Sequence, residues 1–435
     1  MKHDTKLGIG LAAFIAVGLA WSATRDEPPS PSPAERLAAA QAKTRARLTQ
    51  LAPAERRSVD YAALDARFKR MVARPNMVGM AVGIVEQGRI TFLSGYGETL
   101  AGSGQPVTPQ TVFRWASVSK GVASTMVAKL AEQGKFSLNQ PVASLAPSLQ
   151  LPNGAQVTAS VADVLSHRLG LYRNAFDNKL EEGQSASLLR RNLFSLSGLC
   201  APGTCWSYQN IAFDAATEVV EKATGRVYAD ELKRQLFDPI GMTSASATRA
   251  GLQSAPSWAR GHSVGRRPIE VNDVYYGVPA AGGVNSNIKD MSLWMLAQMG
   301  EMPFVLSPRL LETIHAGRVA TPNERGRMRK FLERLADPQY GLGWRSYTYA
   351  GNRIIGHRGG VNGYRSLILF DPVRKSGVVA LWNSNTSQPG GLEFEVMDMV
   401  YRLPFRDWME LDKGPAAVVV PAAGEAIEAT SGERR

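Results

Sequence analysis

Two serine–lysine pairs in this 435-residue chain have the spacing that activates a hydroxyl nucleophile: Ser117-Val118-Ser119-Lys120 and Ser286-Asn287-Ile288-Lys289. Residues three apart on a helix share a face, so the lysine nitrogen can reach the serine oxygen and exchange a proton with it. About one such pattern is expected by chance in a chain of this composition. The choice must therefore come from setting. Ser117 closes TVFRWASVSK and opens a long run with helical period, whereas Ser286 and Asn287 stand where a cap belongs ahead of DMSLWMLAQM. Ser117 is the expected nucleophile.

A nucleophilic serine also needs a base and two donors for the developing oxyanion. The chain has no convincing GxSxG elbow and no obvious Asp–His pairing for a triad. It does have Tyr208-Gln209-Asn210 after the Pro202-Gly203 turn, and His357-Arg358-Gly359 beside RIIG. Each has a rival, Tyr172-Arg173-Asn174 and His315-Ala316-Gly317, and His315 falls at a helix end rather than beside a strand.

In the order SxxK, YxN, HxG, these segments resemble the serine β-lactamase and penicillin-binding protein superfamily, closest to the class C β-lactamases and their esterase-like relatives. The resemblance runs from about Tyr61 to Asn385 and takes in FRWASVSK, DVLSHRLGL, PGTCWSYQN, DPIGM, AGGVNSNIKD, YGLGW and GHRGGVNGY. It places SHRLGL ahead of the tyrosine motif, which sets Tyr172 aside. The implied fold is α/β (α+β), an antiparallel β-sheet flanked by helices plus a mainly α-helical subdomain, with the serine between them.

The resemblance also implies roles. Ser117 attacks a carbonyl and becomes acylated, Lys120 and Tyr208 share the proton work, and Asn210 holds the lysine and a substrate amide. The backbone N–H groups of Ser117 and Gly360 would bind the oxyanion, with His357 and Gly359 beside the substrate. No metal or cofactor is implied. Whether Lys120 or Tyr208 is the base stays open, since a tyrosine of ordinary pKa near 10 serves only if the lysine charge favours its phenolate. Class C enzymes carry Lys-Thr-Gly where this chain has His357-Arg358-Gly359. A histidine of ordinary pKa is mostly neutral at pH 7 and so anchors a substrate carboxylate poorly, and Arg358, as its strand neighbour, points to the other face. Ester, amide or D-amino-acid peptide substrates are expected ahead of β-lactams. The alternatives are a β-lactamase and a non-catalytic cell-wall-binding or sensor protein.

The elements that position these groups follow from periodicity. Tyr61 to Ala73 reads as a helix with Leu64, Phe68 and Met71 on one stripe, and two β-rich runs then flank Glu86-Gln87-Gly88 as a hairpin. The SVSK helix runs to Gly134 with Val122, Met126, Val127 and Leu130 on one face. Residues 140–248 read as a mainly α insertion, including single helices over Leu180 to Leu193 and Val227 to Phe237. YGLGWRSYT, RIIGH, YRSLILFD and SGVVALWN then form an antiparallel meander. Strands from both ends of the chain must share one sheet if the core is single.

At 44% hydrophobic and 20% charged, the chain can bury a large core. Its net charge of +12 is spread along the sequence without a nucleic-acid motif, so no nucleic-acid partner is expected. Lys2 and Lys6 lead into the uncharged run Leu7 to Ala23, so residues 1–24 read as a signal peptide or membrane anchor. Residues 25–60 read as a Pro-rich spacer and a helix capped at Ser32, 61–412 as the hydrolase-like domain, and 413–435 as a disordered tail. A periplasmic or otherwise extracytoplasmic monomer acting on a small-molecule or cell-wall substrate is expected. In an oxidising compartment Cys200 and Cys205, flanking a Pro-Gly turn, are a candidate disulfide.

Overall fold

The computed structural model describes residues 58–412 continuously and, before them, only Ser32, Glu35, Ala38, Ala39, residues 41–44 and Ala46. The apolar run from Leu7 to Ala23 and the tail from Lys413 lie outside the described residues. Ser32 caps as its sequence suggests: its Oγ accepts from the Glu35 N–H at 3.2 Å while the Glu35 carboxylate accepts from the Ser32 N–H at 2.7 Å.

Helix α1 (Tyr61–Val72) begins at Asp60, whose carboxylate accepts from the Ala63 N–H, and buries Leu64, Phe68 and Met71. It packs on an eight-stranded sheet built from β1 (Gly79–Glu86), β2 (Arg89–Gly97), β3 (Val319–Ala320), β4 (Leu335–Tyr340), β5 (Arg345–Tyr349), β6 (Asn352–Val361), β7 (Tyr364–Asp371) and β8 (Ser376–Trp382). The spatial order is β2-β1-β8-β7-β6-β5-β4-β3, every neighbour antiparallel. The two ends of the chain do meet, with Met80 opposite Trp382 and Val85 opposite Gly377. The β1–β2 turn takes positive φ at Gln87 (51°) and Gly88 (73°), the backbone that a tight hairpin needs.

Strands β1, β7 and β8 at the centre of the sheet are buried on both faces, so they read as nearly continuous apolar runs. Met80, Val82 and Ile84 of β1 join the core under α1 and α6 (Leu392–Tyr401), while Ala81 and Val85 join the core shared with the remaining helices. On that second side lie α2 (Ser119–Glu132) and α5 (Ile288–Gln298). Sequence period makes α2 amphipathic, yet every residue from Ser119 to Ala128 is buried. The reason is its place between the sheet and the helical subdomain, which leaves it no solvent face.

The subdomain departs from expectation in detail. The helix over Leu180 to Leu193 is broken at Gly183 (φ 92°) into Asp177–Glu181 and α3 (Ala186–Asn192), and the helix starting at Tyr228 passes into a π-helical turn at Lys233–Phe237. The subdomain is laced by Arg190 of α3, which donates to Asp214 (2.6 Å), Glu218 (2.9 Å) and Ser148 (2.7 Å) around α4 (Ala215–Thr224). Strand β4 was not legible, because Asp337 (φ 50°) and Pro338 break its register on β5 between Ala336 and Gln339.

Candidate active site

Ser117 lies in a short 3₁₀ turn, Ala116–Val118, that leads into α2. Its predecessor Ala116 is buried and held in left-handed backbone, φ 48°, a conformation costing an L-residue about 1–3 kcal/mol that the surroundings must enforce. They do so through Trp115: its N–H donates to Val284 O (2.8 Å), its carbonyl accepts from Ser366 Oγ (2.5 Å), and its indole N–H donates to Ser286 Oγ (3.0 Å). Gly359 of β6 completes the cradle. A Cβ there would stand 2.3 Å from the Trp115 carbonyl and 3.0 Å from the Ser117 nitrogen, so only glycine lets the strand come this close.

Lys120 is fully buried and its Nζ lies 3.4 Å from Ser117 Oγ. The same nitrogen donates to Asn210 Oδ1 (2.7 Å) and to the Ala281 carbonyl (2.9 Å). Asn210 Nδ2 in turn donates to Asp177 Oδ2 (2.6 Å), which leaves one amide hydrogen of Asn210 for a substrate. Burial pushes the Asp177 carboxyl above the usual range, against the Asn210 bond that favours its ionised form.

Tyr208 is reached along a loop stitched to the SHRLGL segment: Gly203 N–H donates to Arg168 O (2.7 Å) and Ser207 N–H to His167 O (2.9 Å). Cys200 and Cys205 are bonded within that loop. The Tyr208 ring packs on His167 at 4.4 Å and carries three cations around it, Lys120 at 4.8 Å, Arg173 at 5.3 Å and Arg345 at 5.9 Å from the ring centre.

His357 is engaged at both nitrogens. The Gln209 N–H donates to His167 Nδ1 (3.2 Å), so His167 carries its hydrogen on Nε2 and gives it to the Tyr340 hydroxyl (3.1 Å). Tyr340 then donates to His357 Nε2 (3.1 Å), and His357 Nδ1–H donates to the Arg358 carbonyl (2.7 Å). Two backbone groups thus fix every hydrogen in the chain, and both imidazoles are neutral. Burial holds both well below the ordinary histidine pKa, helped by Lys120 at His167 and by Arg345 at His357. Arg358 turns to the opposite face of the sheet and pairs with Glu393 of α6.

Beyond Gly356, β6 loses its partner on one side: β5 pairs only as far as Gly356, whereas β7 continues to Val361. His357 to Val361 therefore present a free strand edge beside Ser117. A cavity of about 270 Å³ opens at the Tyr208, Arg173, Arg345 and His357 end of this edge, and another of about 590 Å³ starts at Gly360.

The structure brings Ser117, Lys120, Tyr208, Asn210, His357, Gly359 and Gly360 together and disperses the rivals. Ser286 is buried in a two-residue strand against Phe113, with Asn287 alone as the helix cap, and Lys289 is exposed. Tyr172 is 40% exposed. His315 bonds Gln298 (2.9 Å) in the core, and burial pushes it down to about 3. Sequence reasoning did not single out His167, Tyr340, Arg345 or Asp177. The first two lay inside the SHRLGL and YGLGW segments, and the others carried no local signal.

The sequence profile of the family described as Beta-lactamase matches residues 64–398, a span that holds all three motifs. The chain belongs to the beta-lactamase family. Among its relatives are an unguisins hydrolase of Aspergillus campestris, 28% identical over 73% of this chain, and the D-alanyl-D-alanine-carboxypeptidase/endopeptidase AmpH of Escherichia coli, 28% identical over 50% of it. The chain spans 61% of the length of the first and 56% of the second. The octameric penicillin-binding protein homologue from Pyrococcus abyssi shares the fold, with a TM-score of 0.72 at 20% identity over 81% of this chain and 80% of its own. The antiparallel sheet, the buried central helix and the serine at its start are thus the architecture of a beta-lactamase family member.

Proposed function

We propose that this beta-lactamase family protein is an exported serine hydrolase that forms an acyl-enzyme on Ser117 with ester, amide or D-amino-acid peptide substrates. The observation that carries the reading is the commitment of Lys120. Asn210 Oδ1 and the Ala281 carbonyl can only accept, so two hydrogens of Nζ are taken and its remaining position faces Ser117 Oγ. As an amine, Lys120 takes the serine proton there while Ser117 attacks. The Ser117 and Gly360 N–H groups receive the oxyanion at the free edge of β6. Tyr208, whose hydroxyl has no hydrogen bond among the described residues, protonates the leaving group, which therefore departs toward the Tyr208 cavity.

Among these, D-amino-acid peptide substrates are favoured by the similarity to the D-alanyl-D-alanine-carboxypeptidase/endopeptidase AmpH. Efficient β-lactam turnover is disfavoured because His357 is neutral with both nitrogens engaged, and Arg358 faces Glu393. Export is supported by the Cys200–Cys205 bond and by the apolar run behind Lys2 and Lys6. The test is a fluorophosphonate label read by intact mass. One adduct is expected on the native protein and none on Ser117→Ala; an adduct that survives the substitution, or none at all, rejects the reading.

A further inference from the structure

Arg114 and Arg365 are the two cations of the 590 Å³ cavity that starts at Gly360. Arg114 is only 3% exposed, yet its guanidinium makes no hydrogen bond among the described residues, and its Nε and Nη2 are buried without a partner. It is held instead by ring faces, with Tyr276 at 4.5 Å and Tyr364 at 5.8 Å. Those tyrosine hydroxyls are occupied elsewhere, on Asn285 Oδ1 and the Ala259 carbonyl. A guanidinium taken from water without protein acceptors is costly, which makes Arg114 a candidate to pair with an anion in this cavity.

Arg365 shows the same economy. Only its Nη1 is used, on the Val361 carbonyl (2.8 Å), the Tyr364 carbonyl (2.7 Å) and Asn385 Oδ1 (2.9 Å). Burial alone lowers its pKa, with no carboxylate opposing. Glu181 and Glu270 are also on the cavity wall, but both are exposed, and Glu181 accepts from the Tyr275 hydroxyl (2.8 Å). Neither forms an ion pair with Arg114 or Arg365 among the described residues.

The direction of the reaction says what enters. If the leaving group departs toward Tyr208, the acyl chain runs the other way along the β6 edge, past Gly360 and into this cavity. We infer that Arg114 and Arg365 form an acyl-side subsite for a carboxylate, making acyl groups with a distal negative charge the preferred donors. This rests on the hydrolase reading above and names its substrate class. The Arg365 fork offers its free Nε and Nη2 to form charge-assisted bonds, and Arg114 on the same cavity wall adds a second positive charge.

The test compares the mono-p-nitrophenyl ester of adipic acid with p-nitrophenyl hexanoate. The native protein is expected to favour the anionic ester in kcat/KM by about 10- to 100-fold, the worth of one or two charge-assisted bonds. Arg114→Gln and Arg365→Gln should each shrink that ratio, Arg365→Lys should keep part of it, and Arg365→Glu should turn the preference toward p-nitrophenyl 6-aminohexanoate. A readout without turnover is the thermal shift of Ser117→Ala protein by monomethyl adipate, expected to exceed that by methyl hexanoate and to vanish in the two glutamine variants. Equal shifts, or an ester preference that survives both glutamine substitutions, overturn the subsite. No turnover and no phosphonate adduct, with the selective shift intact, overturns the hydrolase reading alone and leaves the anion subsite standing.

Discussion

Lys120 shows how much a residue's chemistry depends on what its other valences are doing. Bound to two carbonyl-type oxygens, its nitrogen has a single position to exchange with Ser117, and rotation about the last bond of the side chain cannot change that. His357 shows the opposite case. It stands in the position of a cationic anchor, but Tyr340 and the Arg358 carbonyl use both of its nitrogens, so it braces the site rather than reaching for substrate. Gly359 is the residue whose replacement separates position from chemistry. Gly359→Ala pushes β6 off the Trp115 carbonyl and the Ser117 nitrogen without removing any reacting group. Its kcat on an activated ester is expected to fall about 100-fold, the usual cost of roughly an ångström of misplacement. A near-native rate would mean the strand and nucleophile are not in the contact described.

Elements, rather than residues, decide where Tyr208 and Asn210 come to lie, because both sit on subdomain loops with no strand beneath them. The subdomain keeps its shape through Arg190, which is 5% exposed and joins α3 to Asp214, Glu218 and Ser148. Arg190 is the cation that faces Asp214, whose other oxygen accepts from Thr217 Oγ1 (3.0 Å) and the Ala280 N–H (2.9 Å), and burial pushes that carboxyl up to about 6 even with these partners opposing. Arg190→Met removes one partner and leaves a buried carboxylate, a change that costs about 3–5 kcal/mol. Urea unfolding of the variant should show a loss of that size; a loss under about 1 kcal/mol, the worth of an exposed pair, would contradict the buried network.

Several titratable groups of the molecule are buried in its core, and its acid sensitivity follows from them. His315 stays neutral in the fold, pushed down to about 3 by burial, while in the unfolded chain it titrates near 6.5. Between those values the unfolded state binds a proton that the fold does not, so acidification destabilises by about 1.4 kcal/mol per pH unit for this group. His167 and His357 shift in the same direction. Asp214 opposes them, since its raised carboxyl takes a proton in the fold first, adding stability as pH falls through about 6. A mutant comparison isolates the histidine contribution: His315→Gln can keep the Gln298 contact, so its stability between pH 6.5 and 5 should fall less steeply than that of the native protein, by about 1.4 kcal/mol per pH unit. Parallel slopes would show that His315 titrates normally.

The sequence by itself determined six strands of the sheet (β1, β2 and β5 to β8), the hairpin at Gln87-Gly88, the SVSK helix and the order of the three motifs. These are carried by local period, turn chemistry and spacing, which a linear reading can see. It could not determine that α2 is buried on every side, that Leu180 to Leu193 breaks in two, or that Asp337 and Pro338 sit inside a strand. Those outcomes depend on what packs against each segment. At the site, the three motifs and the family resemblance they carry named Ser117, Lys120, Tyr208, Asn210 and His357, but hydrogen-bond partners from distant segments gave them their states: Ala281 for Lys120, Asp177 for Asn210, Tyr340 and His167 for His357. The free edge of β6 and the unpartnered guanidinium of Arg114 are likewise properties of the tertiary structure alone. An unpaired strand or an unsatisfied charge is defined by what fails to lie beside it in space.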